Sequence, residues 1–409
     1  MNNYQHSRGL LIVIICLVTI PGTISAESVP GTEAVLFTFS GEPLCMTLEG
    51  DYLFWLQDNK HMSASERGFY MYNLPEGTRK QLTHQVVTPS ISGDRVVFSE
   101  KGIMLMNIST GSLVQLTNQD DAVLPVSDLR FNQNPSIDGD RVVWTEHEGL
   151  ARSSVDGGTI VLLNLTTGER QYLPTGSPGN QSTPMISGNY ILWKDYRHGS
   201  PNDPELYLFD LKNGKEERLP TENPVESNPY ISGNDVVWTE KIHGVHTIVH
   251  YAISSRTRTV VGQGSVHQGH LPPVSDDRVV WLQSMNPLDF RDSRSAVMIM
   301  DLRTGEKSQI TPFKRGLSHP VISGEYIIYT RGEGEDWFRS PREVVLYLLP
   351  SRPDVTIPGM DTRPGNSTPS PSDNSQGEVL PPPTPLPGFS CFIVVAGFLA
   401  ALILWKVRK

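Results

Sequence analysis

Cysteine is nearly missing: the 409 residues contain 3, of which Cys16 and Cys391 lie in apolar segments at the two ends. Cys45 alone remains in the body of the chain, so no intramolecular disulfide can staple it. An exported protein built this way fits an anaerobic or reducing habitat, and its stability has to come from packing and ring closure. Basic residues are also in deficit, 34 Lys and Arg against 44 Asp and Glu, for a formal net charge of -10. That balance favours solubility at a surface, and with no basic stripe it excludes nucleic-acid binding. Sequence signatures of chemistry are absent too: there is no G-x-S-x-G, H-E-x-x-H, phosphate loop or paired-cysteine motif, and Glu146-His147-Glu148 matches none of them. No cofactor is expected.

What the chain does have is repetition. The phrases LEGDYLFW, ISGDRVVF, IDGDRVVW, ISGNYILW, ISGNDVVW, VSDDRVVW and ISGEYIIY recur, with turn residues Gly50, Gly93, Gly139, Gly188, Gly233, Asp276 and Gly324. Their spacing of roughly 43 to 49 residues is a propeller-blade period, too long for leucine-rich or ankyrin repeats. Each unit continues into a second apolar run and a second turn, as in LYLFDLKNGKEERLP. Four short strands per unit follow: one entering at Pro89, Pro135, Pro184, Pro229, Pro273 or Pro320, the VVW-type run, the LYLFDL-type run, and the tail after a Thr-Gly or Asn-Gly turn. The second and third strands are apolar at consecutive positions, so neighbouring blades must cover both faces.

The predicted fold is therefore all-β, a seven-bladed propeller of four-stranded blades over residues 33–350. Its last unit, ending at Val344 to Leu349, lacks a fourth strand, and Ala34 to Phe39 is an orphan before the first unit. Pairing the two closes the ring and removes its open edges. The alternative is an N-terminal strand lying on the surface.

The P-x-I-S-G-D-x-V-V-W opening and D-L-x-T-G-E ending of the unit resemble the TolB-like propellers, most closely the form common in cell-surface proteins of methanogenic archaea. The resemblance spans nearly all of Ala34 to Leu349. Because S-G-D stands here in place of the usual S-P-D-G, the resemblance implies the fold and no TolB partner.

The ends read as targeting segments. Arg8, the apolar stretch from Gly9 to Ile20, and the small residues Ser25 and Ala26 form a secretory signal, residues 1–26, with an uncleaved anchor as the alternative. Residues 351–388 are rich in Pro, Ser and Thr and too poor in apolar residues to fold, which predicts a disordered, extended stalk. Residues 389–409 contain an apolar segment from Cys391 to Trp405 and the basic residues Lys406, Arg408 and Lys409. With the preceding Pro387-Gly388-Phe389 this ending resembles the PGF-type sorting signal of archaeal surface glycoproteins, and the resemblance implies archaeosortase processing. The basic tail predicts a transmembrane helix with the propeller outside. A single-pass tail without processing is the alternative, and the terminal basic residues count against a GPI signal.

Loop length varies only on the face opposite the tight turns, in Gln57 to Arg67, Glu148 to Gly158, Asp195 to Pro204, Gln283 to Ser295, Arg331 to Arg342 and the connector Asn118 to Asn134. Binding residues concentrate on such loops. Two residues past each strand-closing aromatic stand Gln57, Glu100, Glu146, Asp195, Glu240, Gln283 and Arg331. Aligned strands would put four carboxylates in an arc able to hold a cation, an amine or sugar hydroxyls; capping of strand ends or pairing with Lys or Arg is the bland alternative. Trp337 is the one propeller tryptophan the repeat does not require, and with Phe338 it is a candidate partner anchor. His243, His246, His250, His267 and His270 cluster without the spacing of a metal site, and His250 aligns with the interblade positions Leu208 and Ile299; no metal is expected. Sequons at Asn107, Asn164, Asn180 and Asn366 are glycosylation candidates.

Two functions fit. The first is a non-enzymatic, surface-anchored module binding an extracellular protein or polysaccharide in adhesion, envelope organisation or polymer capture. The second is an extracellular glycan lyase or hydrolase using Glu100, Glu146 and Asp195. Fold does not separate them.

Overall fold

In the computed structural model, the described residues are 31–349 except 42, 58–65, 84–86, 101, 118–133, 147–157, 177–179, 199–202, 265–272, 290–291 and 333–340. They form seven antiparallel four-stranded sheets. Blade 1 comprises Cys45–Glu49, Tyr52–Gln57, Gly68–Asn73 and Thr78–Thr83. Blade 2 comprises Val87–Ser92, Arg95–Ser99, Ile103–Asn107 and Leu113–Gln115. Blade 3 runs from Ser136–Asp138 to Arg170–Tyr172 and blade 4 from Gln181–Ser187 to Lys215–Arg218. Blades 5 and 6 run from Tyr230–Ser232 to Thr257–Gln263 and from Val274–Ser275 to Lys307–Gln309.

Blade 7 takes three strands from the end of the propeller, Leu317–Ser323, Tyr326–Gly332 and Pro341–Leu348, and its fourth from the beginning, Thr32–Ser40. The predicted closure is thus observed, with the closing strand two residues longer at its start and one at its end than Ala34 to Phe39, and its partner running over Pro341–Leu348 in place of Val344 to Leu349. Thr32 pairs with Leu348 and Ser40 with Pro341. Phe37 and Phe39 of the closing strand then reach the Trp55 ring of blade 1, at centroid distances of 5.0 and 6.5 Å. Burying such rings against the first blade makes closure a packing event as well as a ladder of hydrogen bonds.

Each consecutive apolar pair in the second strands is split between two interfaces, because alternate side chains leave opposite faces of a sheet. Leu192 packs toward blade 5 with Val236 and Trp238, whereas Trp193 packs toward blade 3 with Val143 and Ile160. The core is therefore a set of interblade clusters, and the five tryptophans Trp55, Trp144, Trp193, Trp238 and Trp281 are the largest fully buried side chains, followed by Arg342 and Tyr329.

The tight turns are joined by a two-part stitch. Within every blade, the carbonyl of the second turn residue accepts the N–H of the residue after the third strand, from Asp51 with Leu74 to Glu325 with Leu349, over 2.7 to 3.0 Å. Between blades, the side chain before the turn accepts the turn N–H of the next blade: Ser92 from Gly139, Asp138 from Gly188, Ser187 from Gly233 and Ser275 from Gly324. Glu49 accepts from Gly93 in the same way, and burial together with Asp138 nearby pushes its carboxyl above the ordinary range. The turn glycines have φ of 54 to 56°, a left-handed conformation that favours glycine. Asp276 adopts it at 48° in blade 6.

Among the described residues no helix is long and apolar enough to cross a membrane. The signal, stalk and tail expected at residues 1–26, 351–388 and 389–409 lie outside the described residues. The chain divides into units 1–360 and 361–409, and the second lies wholly outside them.

Candidate functional site

Strand order places all the 1→2 and 3→4 turns on one face and all the 2→3 loops and blade-to-blade connectors on the other. The 2→3 loop of blade 5 is the two-residue hairpin His243-Gly244, with His243 at φ 49°.

The carboxylate arc is the main correction to the sequence-based expectation. Residues two apart on a strand point the same way, so the side chain two past the tryptophan lies beside its indole instead of at a rim. Trp193 Nε1 donates to Asp195 Oδ2 over 2.9 Å, and Trp238 Nε1 donates to Glu240 Oε1 over 2.8 Å. Gln57 and Gln283 accept from Trp55 and Trp281 in the same geometry at 3.4 and 3.1 Å. Asp195 and Glu240 are both 0 % exposed.

An arginine joins the site in blades 1, 3, 4 and 5. In blade 5, Arg258 of the fourth strand donates to Glu240 over 2.9 Å, and Glu222 N and Asn223 Nδ2 of the connector bond the same carboxylate. In blade 3, Arg170 stacks over Trp144 at 5.7 Å and pairs with Glu146, which also accepts from Tyr172 Oη at 2.6 Å. In blade 1, Arg79 lies over Tyr70 and Trp55 at 4.5 and 5.2 Å. Blade 4 carries Glu216 at the position of Arg79, Arg170 and Arg258. Its cation comes instead from Arg197, which spans Asp195 at 2.7 and 2.9 Å and Glu216 at 2.6 Å and stacks over Tyr207 at 4.0 Å. Hydrogen bonds donated to Asp195 and Glu216 hold the Arg197 guanidinium well above its ordinary pKa despite burial. Buried charges paired in this way are pins between strand and connector.

Of the four carboxylates, the structure leaves Glu100 as a half-buried side chain without a hydrogen bond or ion pair. Trp337 and Phe338 lie outside the described residues. The histidines are dispersed: His246 pairs with Glu226, His250 Nε2 meets Asp235 Oδ1 at 2.6 Å in the interblade core, and His267 and His270 are outside the described residues. Among the described residues no group of three or more His, Cys, Asp or Glu could hold a metal ion. Burial pushes the Cys45 thiol up to about 11. Asn107 and Asn164 stand at turns of the tight-turn face, Asn180 is exposed on the loop face, and Asn366 is outside the described residues.

One loop-face feature carries no repeat signature and is missed in the sequence. In blade 6, Met285 N donates to Arg294 O at 3.0 Å, and Ser295 and Lys314 form a bridge, so the tips of three strands meet. Asp292 braces the loop through Arg294 Nε and Nη2 at 2.8 and 2.7 Å and through Asn286. On this brace stand the exposed apolar side chains Met285, Leu288 and Phe313, with Leu288 77 % exposed.

No protein-family model and no curated protein matches the sequence. Among solved structures, an oligogalacturonate lyase in complex with manganese superposes on 79% of this chain and 99% of its own, at TM-score 0.51 and 11% identity. A puromycin-hydrolyzing peptidase from Mycobacterium tuberculosis matches 80% of this chain at TM-score 0.51 and 15% identity, and this chain spans 54% of that peptidase. TolB from Acinetobacter baumannii overlaps 65% of this chain and 66% of its own at TM-score 0.46 and 16% identity. At these identities the likeness is one of fold, the seven-bladed propeller.

Proposed function

We propose that this chain is an exported binding module, held at a membrane by a PGF-type tail, that captures an extracellular protein or polysaccharide on its loop face. The observation that carries the reading is where the chain enters and leaves. Thr32 pairs with Leu348, and Leu349 bonds Glu325 beside the last tight turn, so both ends of the propeller lie on the tight-turn face. The chain therefore leaves the last described strand on the face opposite the loops. The loop face offers the exposed apolar side chains Met285, Leu288 and Phe313 as candidate interface anchors. Trp337 and Phe338, which the sequence places between Gly332 and Pro341, are proposed as further anchors.

The second reading, a glycan lyase or hydrolase, draws on the lyase likeness and on Glu100 and Glu146 in adjacent blades. Against it stands the use of Asp195 and Glu240 as buried pins. A glycan array and pull-down with residues 27–353 separates the two. The binding reading expects retention of an intact ligand, weakened about five- to thirtyfold by Leu288→Ala or Trp337→Ala, as for an anchor worth about 1 to 2 kcal/mol. Shortened glycan products abolished by Glu100→Gln would establish the enzyme.

A further inference from the structure

In blades 3, 4 and 6 the residue that opens the turn between third and fourth strands holds it with one oxygen, Oδ1. Asn164 Oδ1 accepts the N–H groups of Thr166 and Thr167 at 2.9 and 3.1 Å. Asp210 does the same for Lys212 and Asn213, and Asp301 for Arg303 and Thr304. An aspartate suffices, so the amide nitrogen of an asparagine here is surplus to the turn. In blades 2 and 3 that asparagine is followed two residues later by Ser109 and Thr166, which makes each an N-x-[ST] acceptor sequence.

The two sites differ in what holds the nitrogen. Asn107 Nδ2 donates to Asp94 Oδ2 at 2.7 Å, and Ser109 Oγ donates to the same carboxylate at 2.5 Å. In blade 3 the equivalent carboxylate, Asp140, is taken by Arg95 and Thr166. Asn164 Nδ2 is left without a partner and reached by solvent.

We infer that Asn164 is an N-glycan acceptor of the tight-turn face, and that Asn107 is disfavoured although its sequence is equally permissive. The inference rests on the export proposed above. In the transfer, Nδ2 bonds to the anomeric carbon of a sugar activated on a phosphate. The bond from that carbon to the phosphate oxygen breaks, and the proton lost from Nδ2 leaves with the phosphate. Oδ1 is untouched, so the turn survives modification.

The test expresses the full chain behind the signal segment of a host whose own exported proteins carry N-glycans, which separates failure of this signal from failure of the inference. Peptide mass spectrometry of the exported chain should find glycan on Asn164 in most molecules and on Asn107 several-fold less often. Asn164→Asp should abolish that modification and keep the melting temperature of the unglycosylated protein. An exported chain bare at Asn164 beside an occupied host control, equal occupancy of Asn107, or a marked loss of stability in Asn164→Asp would each overturn it.

Discussion

The backbone N–H of Gly50 donates to the hydroxyl of Ser323 over 3.1 Å, although the two residues are 273 positions apart. It is the same stitch that joins the other blades, repeated at the one joint where the chain does not run on from one blade to the next. Ser323→Ala should cost about 1 kcal/mol, the net worth of one hydrogen bond, and Ser187→Ala at an internal joint should cost the same. Urea unfolding of both variants checks this, and an effect confined to Ser187→Ala would mean that the closing joint is not formed in solution.

The closing strand itself should matter far more. Deleting residues 27–40 removes the whole ladder from Thr32 to Ser40 and uncovers Trp55, which packs on Phe37 and Phe39. The loss should exceed about 3 kcal/mol, the scale of truncating one large core aromatic. A thermal midpoint unchanged by the deletion would count against closure.

The buried clamps give a graded prediction. Glu240→Ala strands Trp238 Nε1 and Arg258 without their acceptor and should destabilise by about 3 to 5 kcal/mol. Glu240→Gln should cost clearly less, since Gln57 and Gln283 occupy the same position in blades 1 and 6. Equal effects of the two substitutions would remove the indole from the account.

Lys194 supplies a pH dependence. It follows Trp193 where other blades have Leu56, Thr145, Thr239 or Leu282, it has no ionic partner, and desolvation lowers its pKa from 10.5 to about 8. Between those two values the unfolded chain binds a proton that the folded chain has lost. Stability contributed by this residue therefore rises as pH increases from about 8 to 10.5, by no more than about 3 kcal/mol. Lys194→Leu should be more stable than the natural protein at pH 7, and the difference should shrink towards pH 10. A constant difference across that range would show that Lys194 is not desolvated.

These outcomes mark what the sequence could and could not disclose. The seven-blade ring and its closure are legible because the turn phrase recurs at a fixed period and leaves one strand orphaned at each end. The role of the residue before the turn glycine is less legible, because Glu49, Asp138 and Ser187 share no chemistry beyond a short side-chain acceptor, and the partner sits in the next blade. The spacing from Trp238 to Glu240 is visible, but an acid two residues along a strand looks the same whether it faces solvent or an indole. Only the arginine, supplied by Arg258 in one blade and by Arg197 in another, decides which. The apolar tip at Leu288 is unreadable in advance, since exposure is set by the brace between Asp292 and Arg294.

Anchoring has its own test. Truncation after Pro353 should release the propeller into the medium, whereas the full chain stays with the envelope. Equal retention of both would place the anchor elsewhere.

The most direct measurement of the central claim compares the two faces in one binding assay. Residues 27–353 carrying Leu288→Asp and Phe313→Asp on the loop face should lose most of their retention on the ligand found by pull-down. The same domain carrying Lys212→Glu and Asn213→Lys on the tight-turn face should bind like the natural one, with the ligand recovered intact in both cases. Binding lost only with the tight-turn substitutions, or a ligand recovered cleaved, would contradict a module that captures its partner on the loop face.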